Sequence, residues 1–200
     1  GTGWSGAAWG GDEVEVVPLG VGAGVRAVRG DGEPVGRADA GRGVALNRDA
    51  VSTEGVRPGE FRAGPGAASA TDRFDAHLAC LGVPGKGKPL VSGARVHVAH
   101  GTREVTGRVL LMDGRPSLGV GERAYAQIRL DEPLPLAWRD RFVVRPYPPV
   151  HVVGGGEALR ARPPRTTTLA PGALELLDAL RARDQAPVAH APSAPTAPPA

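Results

Sequence analysis

Short apolar runs with a two-residue period recur along most of this chain, and turn residues separate them. Residues 73–81 alternate polar side chains with the apolar side chains of Phe74, Ala76, Leu78 and Cys80. This alternation is typical of a half-buried β-strand. Similar runs follow at 94–99, 104–112, 124–130 and 141–145, and no helical pattern lies between them. A parallel βαβ sheet needs helices between its strands, so the pattern predicts an all-β fold.

Residues 1–66 show the same organisation on a shorter scale. Apolar runs lie at 14–17, 25–28 and 44–46, and the turn-like segment 57–61 leads into a fourth. Short strands at this spacing predict a barrel or sandwich. The Gly/Ala/Pro/Ser-rich segment 63–70 marks a boundary, so we expect two consecutive small β-barrels, at 1–66 and 70–160. The last predicted strand, 150–153, is expected to end at the triplet Gly154–Gly156.

The end of the chain has a different pattern. Leu174, Leu177 and Leu180 recur at helical spacing behind Pro171, which predicts an amphipathic helix over 173–183 within a linker region 161–185. Its apolar stripe must cover either the second barrel or a domain outside this sequence. Residues 186–200 carry no Asp, Glu, Lys or Arg and are rich in Pro, so we expect a disordered tail.

Charge and cysteine content indicate the cellular compartment and the class of partner. The net charge of +3 permits an RNA partner without requiring one. Cys80 is the single cysteine, and no apolar run approaches the length of a membrane span. We therefore expect a cytoplasmic protein with no membrane partner. The start, Gly1–Trp4, has no Met and no signal-peptide pattern, and we interpret the chain as part of something longer.

Several stretches resemble a translation factor family. HVAHGTREVTGRV (97–109), ERAYAQIRLDEPLPLAWRDRFVVRPY (122–147) and VHVVGGGEAL (150–159) are similar to the third domain of elongation factor Tu-like proteins. GGDEVEVVPLG (10–20) and RADAGRGVALNRDAVSTEGVRPGEF (37–61) are similar to the second domain. The VALN and GVRPGE segments, HVAHGT and the glycine triplet resemble the selenocysteine-specific branch of the family.

The resemblance implies both a fold and a function. The fold is a pair of packed β-barrels of the domain 2 and domain 3 type. The full-length factor uses GTP and magnesium to deliver one charged tRNA to the ribosome. Expected partners are therefore aminoacyl-tRNA, in this branch selenocysteyl-tRNA, the ribosome and a GTPase domain that is separate or missing. DNA is not an expected partner.

The GTPase itself is not expected in these 200 residues. The nearest match to the P-loop pattern is Gly82–Lys88, but Pro89 replaces the magnesium-binding hydroxyl. Gly20–Gly24 resembles a dinucleotide loop only faintly. We interpret both as plain turns, so this chain should have no enzymatic activity and no cofactor of its own.

Histidine and cysteine spacing does not predict a metal site. His77 and Cys80 are three residues apart, as are His97 and His100, and this separation puts each pair on opposite faces of a strand. Two ligands also fall short of a zinc site. Cys80 is interpreted as a small core residue, and the two histidines of HVAHGT as surface or turn residues.

Contact with tRNA is the functional hypothesis that the resemblance favours. Thr102, Arg103 and Arg145 match positions at which the third barrel of the family meets the acceptor and T arms of tRNA. A guanidinium group can bind a phosphate bidentately, and a hydroxyl can bond a phosphate or a 2′-OH. The alternative is that both arginines are ordinary solvated charges.

The second barrel of the family helps to form the aminoacyl pocket. In the selenocysteine branch, an arginine that follows Ala-Gly-x is expected to face the selenol, which is largely ionised at neutral pH. Here Gly43 occupies that register and Arg42 lies one residue earlier. One step along a strand reverses the side chain. Either a local bulge redirects Arg42, or selenocysteine recognition is lost.

Three other interpretations remain open at this point. The chain could be a degenerate elongation factor remnant that no longer binds tRNA, or the barrels of a general translation GTPase. An unrelated enzyme built on a β-barrel is the third, but no constellation of catalytic residues supports it.

Overall fold

The computed structural model describes residues 6–17, 19–30, 32–41, 43–48, 60–81, 87–146, 152–165 and 172–183. The first strands are β1 (Ala7–Trp9), β2 (Glu13–Val17), β3 (Val21–Gly30), β4 (Glu33–Val35), β5 (Arg37–Asp39), β6 (Val44–Arg48) and β7 (Phe61–Ala63). The later elements are β8 (Ser69–Cys80), β9 (Leu90–Val91), β10 (Arg95–His100), β11 (Arg103–Leu111), β12 (Ser117–Leu118), β13 (Arg123–Leu136), β14 (Arg141–Pro146), β15 (Gly154–Ala161) and helix α1 (Ala173–Ala182). The all-β prediction is confirmed. The predicted tail, 186–200, lies outside the described residues.

The chain divides into two compact units, the first from residues 1–56, 62–66 and 184–200 and the second from 57–61 and 67–183. In the first unit, β2 and β3 form a hairpin and β3 also pairs with β4 and β6. β7 lies beside β2, and β1 pairs with β5 in a separate sheet. One buried cluster of this unit consists of Val14, Ala23, Val25, Val28 and Ala38, and Val16 and Val17 are buried as well.

The segment Gly20–Gly24, with glycines at 20, 22 and 24, belongs to the β2–β3 hairpin. Gly20 has a φ of 70° in the turn, a backbone conformation that glycine adopts without strain. Gly22 and Gly24 follow within β3. A strand rather than a helix therefore comes after the turn, whereas a dinucleotide-binding loop leads into a helix. Most of the P-loop-like segment, residues 82–86, lies outside the described residues.

The second unit contains a closed six-stranded barrel in the order β10-β11-β13-β8-β15-β14. Along β8 the inward positions Phe74, Ala76, Leu78 and Cys80 are fully buried, as the alternation predicts. Phe74 packs edge-on against Phe142 of β14 across the barrel interior, with 5.1 Å between ring centroids. Cys80 is thus confirmed as a core residue, and His77 lies on the opposite face of the strand.

The glycine triplet has a different role from the one predicted. Gly154–Gly156 does not end a strand but begins β15. Val152 and Val153 precede the strand, and Val153 already exchanges backbone hydrogen bonds with Val144 and Leu81. Val150 and His151 lie outside the described residues. A Cβ on Gly154 would stand 2.7 Å from the carbonyl oxygen of Ala79, and one on Gly155 would stand 2.7 Å from that of Phe142. The triplet therefore lets β15 approach both of its neighbours closely enough to close the barrel.

The predicted surface role of His100 is wrong. His100 is the last residue of β10, where its side chain is fully buried. Its Nδ1 lies 2.9 Å from the carbonyl oxygen of Arg141, and its Nε2 lies 3.2 Å from Asp140 Oδ2. Alternation places His97 on the other face, as expected. His100 therefore connects the end of β10 to the turn that precedes β14.

Helix α1 packs against the outside of the second barrel. Leu177 is buried against Met112 and Leu159, and Leu180 packs beside them. The indole Nε1 of Trp138 donates a hydrogen bond of 3.1 Å to the carbonyl oxygen of Leu180. The predicted stripe therefore covers the barrel through Leu177 and Leu180, while Leu174 stays 47% exposed. Among the described residues, no helix is long and apolar enough to span a membrane.

Candidate nucleic-acid interface

Three neighbouring strands of the second barrel present their outward side chains together. His97 of β10 lies opposite Arg145 of β14 on one side and Thr106 of β11 on the other. Glu104 lies opposite Ala99 in the same hairpin. Side chains alternate across a strand, so these polar groups point outward. We call the surface of Arg95, His97, Glu104, Thr106, Arg108, Val143 and Arg145 the β10–β11–β14 face.

Glu104 connects two basic side chains on this face. Its Oε1 lies 2.8 Å from His97 Nδ1, and its Oε2 forms an ion pair with the guanidinium group of Arg145. The side chains of His97, Glu104 and Arg145 retain 25%, 35% and 30% of their exposure. The cluster therefore joins all three strands of the face and stays in contact with solvent.

The predicted residues Thr102 and Arg103 lie at the edge of this face, in the turn between β10 and β11. Thr102 is exposed beside Gly101, which has a φ of 60°. Arg103 begins β11, and its Nη2 lies 3.5 Å from Glu132 Oε2. Arg145 is paired with the carboxylate of Glu104, the next residue after Arg103. Arg103 lies opposite His100 in the register, so its side chain starts from the inward-facing side of β11, opposite to that of Glu104. The structure therefore places Thr102 and Arg103 at the end of the β10–β11 hairpin and Arg145 within the outward β10–β11–β14 face.

A third carboxylate lies on the same side. Asp131 Oδ2 accepts a hydrogen bond of 2.6 Å from the Thr106 hydroxyl and one of 2.9 Å from Arg95 Nη2. The Thr106 hydroxyl and, to a lesser extent, the Arg95 guanidinium hold the pKa of Asp131 below its ordinary value. Asp131 is therefore a permanent negative charge beside the basic groups. Solvent screens exposed pairs of this kind, and they contribute little to stability, so a polyanion can compete for the arginines.

The candidate residues of the first unit are Arg42 and Gly43. Gly43 lies just before β6, is exposed, and has open space where a Cβ would stand. Arg42 lies outside the described residues. No side chain projects from the position at which the family places its arginine.

The sequence is similar to known proteins along most of its length. Residues 83–165 match the family model described as the β-barrel domain of the selenocysteine-specific elongation factor. Over 159 residues, 80% of this chain, the sequence is 33% identical to the selenocysteine-specific elongation factor of Desulfomicrobium baculatum. Over most of its length, this chain is similar to a selenocysteine-specific elongation factor. A second such factor, from Haemophilus influenzae, is 31% identical over 77 residues, 38% of this chain.

The match covers only part of each relative. The chain spans 25% of the length of the Desulfomicrobium elongation factor, and the match to the Haemophilus factor covers 12% of that protein. The matched region, 83–165, includes the whole β10–β11–β14 face. The predicted resemblance to this branch of the elongation factors is therefore confirmed.

The opposite side of the second barrel is covered by the chain itself. Asp75 of β8 is fully buried although it faces outward. Arg160 of β15 binds its carboxylate through Nε at 3.0 Å and Nη2 at 2.5 Å, and Gln127 Nε2 donates to it at 3.1 Å. Gln127 also donates to the carbonyl oxygen of Pro164 at 3.0 Å. These bonds hold the segment after β15 over strands β8 and β13.

A cavity of about 240 Å³ lies between this covered side and helix α1. It is lined by His77, Asp113, Arg123, Tyr125, Asp178 and Arg181. Burial and the nearby Arg181 and Arg123 lower the pKa of His77. Burial and the hydrogen bond to Asp178 raise the pKa of Tyr125. Both groups are therefore neutral near pH 7. Among the described residues, no group of three or more metal-binding side chains occurs.

Sequence reasoning missed Glu104, the residue on which the predicted Arg145 depends. The available signal was the turn at Gly101-Thr102, because a tight hairpin there fixes the register of β10 and β11. That register brings Glu104 beside Ala99, two residues from His97 along β10. The link to Arg145 could not be read in this way, because β14 is distant in sequence.

Proposed function

We propose that this chain is the part of a selenocysteine-specific elongation factor that contacts aminoacyl-tRNA for delivery to the ribosome. The observation that supports the proposal is the position of Arg145 on the outward β10–β11–β14 face, which is formed in part by the hairpin that ends at Thr102 and Arg103. Phosphate and sugar contacts account for most hydrogen bonds between proteins and nucleic acids. Guanidinium groups and a hydroxyl provide the donors for such contacts.

Recognition of the selenocysteyl group is assigned to the first unit in this proposal. Gly43 supplies no cation, so Arg42 would provide the positive charge that faces an ionised selenol. A fixed guanidinium would favour a selenolate over the neutral hydroxyl of serine. If Arg42 points elsewhere, tRNA binding would persist without preference for selenocysteine.

GTP hydrolysis would require a GTPase domain supplied outside these residues. No Gly-x-x-x-x-Gly-Lys-Ser/Thr pattern occurs in the sequence, which has lysines only at 86 and 88. We therefore assign the chain a binding role and no catalytic step. The alternative is a remnant without tRNA binding, which is favoured by Gly43 at the position where the family places an arginine.

Replacing Arg145 with alanine tests the proposed tRNA contact. We expect Arg145→Ala to weaken aminoacyl-tRNA binding about tenfold at moderate salt, since a hydrogen bond to a charged group contributes about 1.5–3 kcal/mol. The slope of log K against log salt should decrease by about one, because one phosphate contact is lost. Filter binding over a salt series measures both quantities.

Arg115→Ala is the matched control for this experiment. Arg115 follows the far end of β11 and pairs with Asp113 at 2.7 Å and Glu122 at 3.3 Å. The nine residues of β11 separate it from Thr102 and Arg103 by about 30 Å. Its removal should leave affinity and salt slope nearly unchanged. Equal effects of the two substitutions would contradict a specific contact at Arg145.

A further inference from the structure

Glu104 occupies the place on the β10–β11–β14 face where an anionic ligand would bind. Its two carboxylate oxygens are divided between His97 of β10 and Arg145 of β14. Arg145 is the arginine to which the proposed function assigns a phosphate contact. In the chain as it stands, the guanidinium group already has an anion from the same chain.

A carboxylate and an RNA phosphate are chemically equivalent partners for this arginine. Each offers two oxygens to the planar guanidinium group and carries negative charge. One guanidinium edge cannot hold both at full strength, so a phosphate must compete with the Glu104 carboxylate. The competition is feasible because all three side chains of the cluster remain partly exposed.

We propose that Glu104 is an internal substitute for an RNA phosphate, which holds Arg145 and His97 in the free chain and is displaced from Arg145 by a phosphate of the bound tRNA. This proposal rests on the proposed function. After displacement, Glu104 retains His97 at 2.8 Å, so its carboxylate keeps a partner. The phosphate then bonds to a guanidinium group that already points outward.

The consequence is lower affinity for RNA in general. A basic surface binds any RNA through its phosphates, independently of sequence. When the arginine is already paired, each phosphate must first break that pair, so only an RNA with further contacts on the same face binds tightly. Glu104 thus lowers the affinity of the β10–β11–β14 face for every RNA, and weakly held RNAs are the first to be excluded.

Glu104→Gln tests the proposal, because it removes the charge and keeps the size of the side chain. We expect the affinity for aminoacyl-tRNA, and for an unrelated RNA of equal length, to rise about three- to tenfold. Glu132→Gln is the matched control. It removes the same charge from a neighbouring residue whose carboxylate pairs with Arg103 at 3.5 Å and is 71% exposed. The control should raise affinity by less than about twofold.

A double-mutant cycle separates the local effect from general electrostatics. In an Arg145→Ala background, Glu104→Gln should change affinity no more than Glu132→Gln does. An unchanged or weaker affinity of Glu104→Gln, in a wild-type background that binds tRNA, would overturn the role of Glu104. Absence of tRNA binding by the wild-type chain would instead overturn the proposed function itself. Circular dichroism melting confirms that each variant folds, and Glu104→Ser provides a second substitution of the same carboxylate.

Discussion

Replacing Gly156 with alanine is expected to destabilise the second unit by about 3 kcal/mol, because a side chain there collides with fixed backbone. Gly156 lies opposite Phe142 of β14 and Leu78 of β8. The nearest atoms to an added Cβ would be the carbonyl oxygen and carbon of His77. β8 is held by β13 on its other side, so its backbone cannot move away without disturbing a second ladder. Urea unfolding followed by circular dichroism measures the loss.

Gly24→Ala provides the contrasting case for the glycine experiment. Gly24 also lies within a strand, β3, but an added Cβ would meet no heavy atom within 4 Å. Its replacement should change stability by less than about 0.5 kcal/mol, as is usual for surface positions. A small effect at Gly156, comparable to that at Gly24, would contradict the close approach of β15 to β8.

Asp75→Ala is expected to cost about 3 kcal/mol or more, because it leaves a guanidinium group without its buried partner. Asp75 is fully buried and binds Arg160 through two hydrogen bonds. Gln127 Nε2 would also lose an acceptor. The same group of bonds holds the segment after β15 over the barrel, so we expect proteolysis near residues 162–165 to become faster. Urea unfolding and limited trypsin digestion measure the two effects.

Asp131→Ala is the control for removal of an acidic residue. Asp131 also binds an arginine, Arg95, at 2.9 Å, but the two side chains are about half exposed. An exposed pair contributes little to stability because solvent screens its charges, so this variant should unfold nearly as the wild type does. Equal losses for Asp75→Ala and Asp131→Ala would show that Arg160 and Gln127 do not depend on Asp75.

The sequence was sufficient to predict five of the six barrel strands, β8, β10, β11, β13 and β14, but neither β15 nor the way in which the barrel closes. The alternation at 73–81 correctly assigned Phe74 and Leu78 to the core, since a two-residue period reports which face is buried. The same two-residue period predicted that the side chain of Asp75 is exposed to solvent. Its burial results from Arg160 and Pro164, which lie some 85 and 89 residues further along, and local periodicity carries no information about such distant cover.

The glycine triplet shows a second limit. Read locally, Gly154–Gly156 resembles the end of a strand, since glycine often breaks regular structure. The need for glycine arises from carbonyl groups of β8 and β14, which come close only after the barrel has closed. Barrel closure also assembles the candidate site, because the Arg145 side chain contacts Glu104 only when β14 pairs with β10.

The most direct test of the central claim is a filter-binding titration of the chain with selenocysteyl-tRNA and seryl-tRNA over a salt series. The account predicts binding of both that weakens steeply with salt through counterion release. It also predicts tighter binding of selenocysteyl-tRNA, a preference that Arg42→Ala removes. Equal and negligible binding of the two tRNAs at low salt would contradict the account and favour a remnant that no longer carries tRNA.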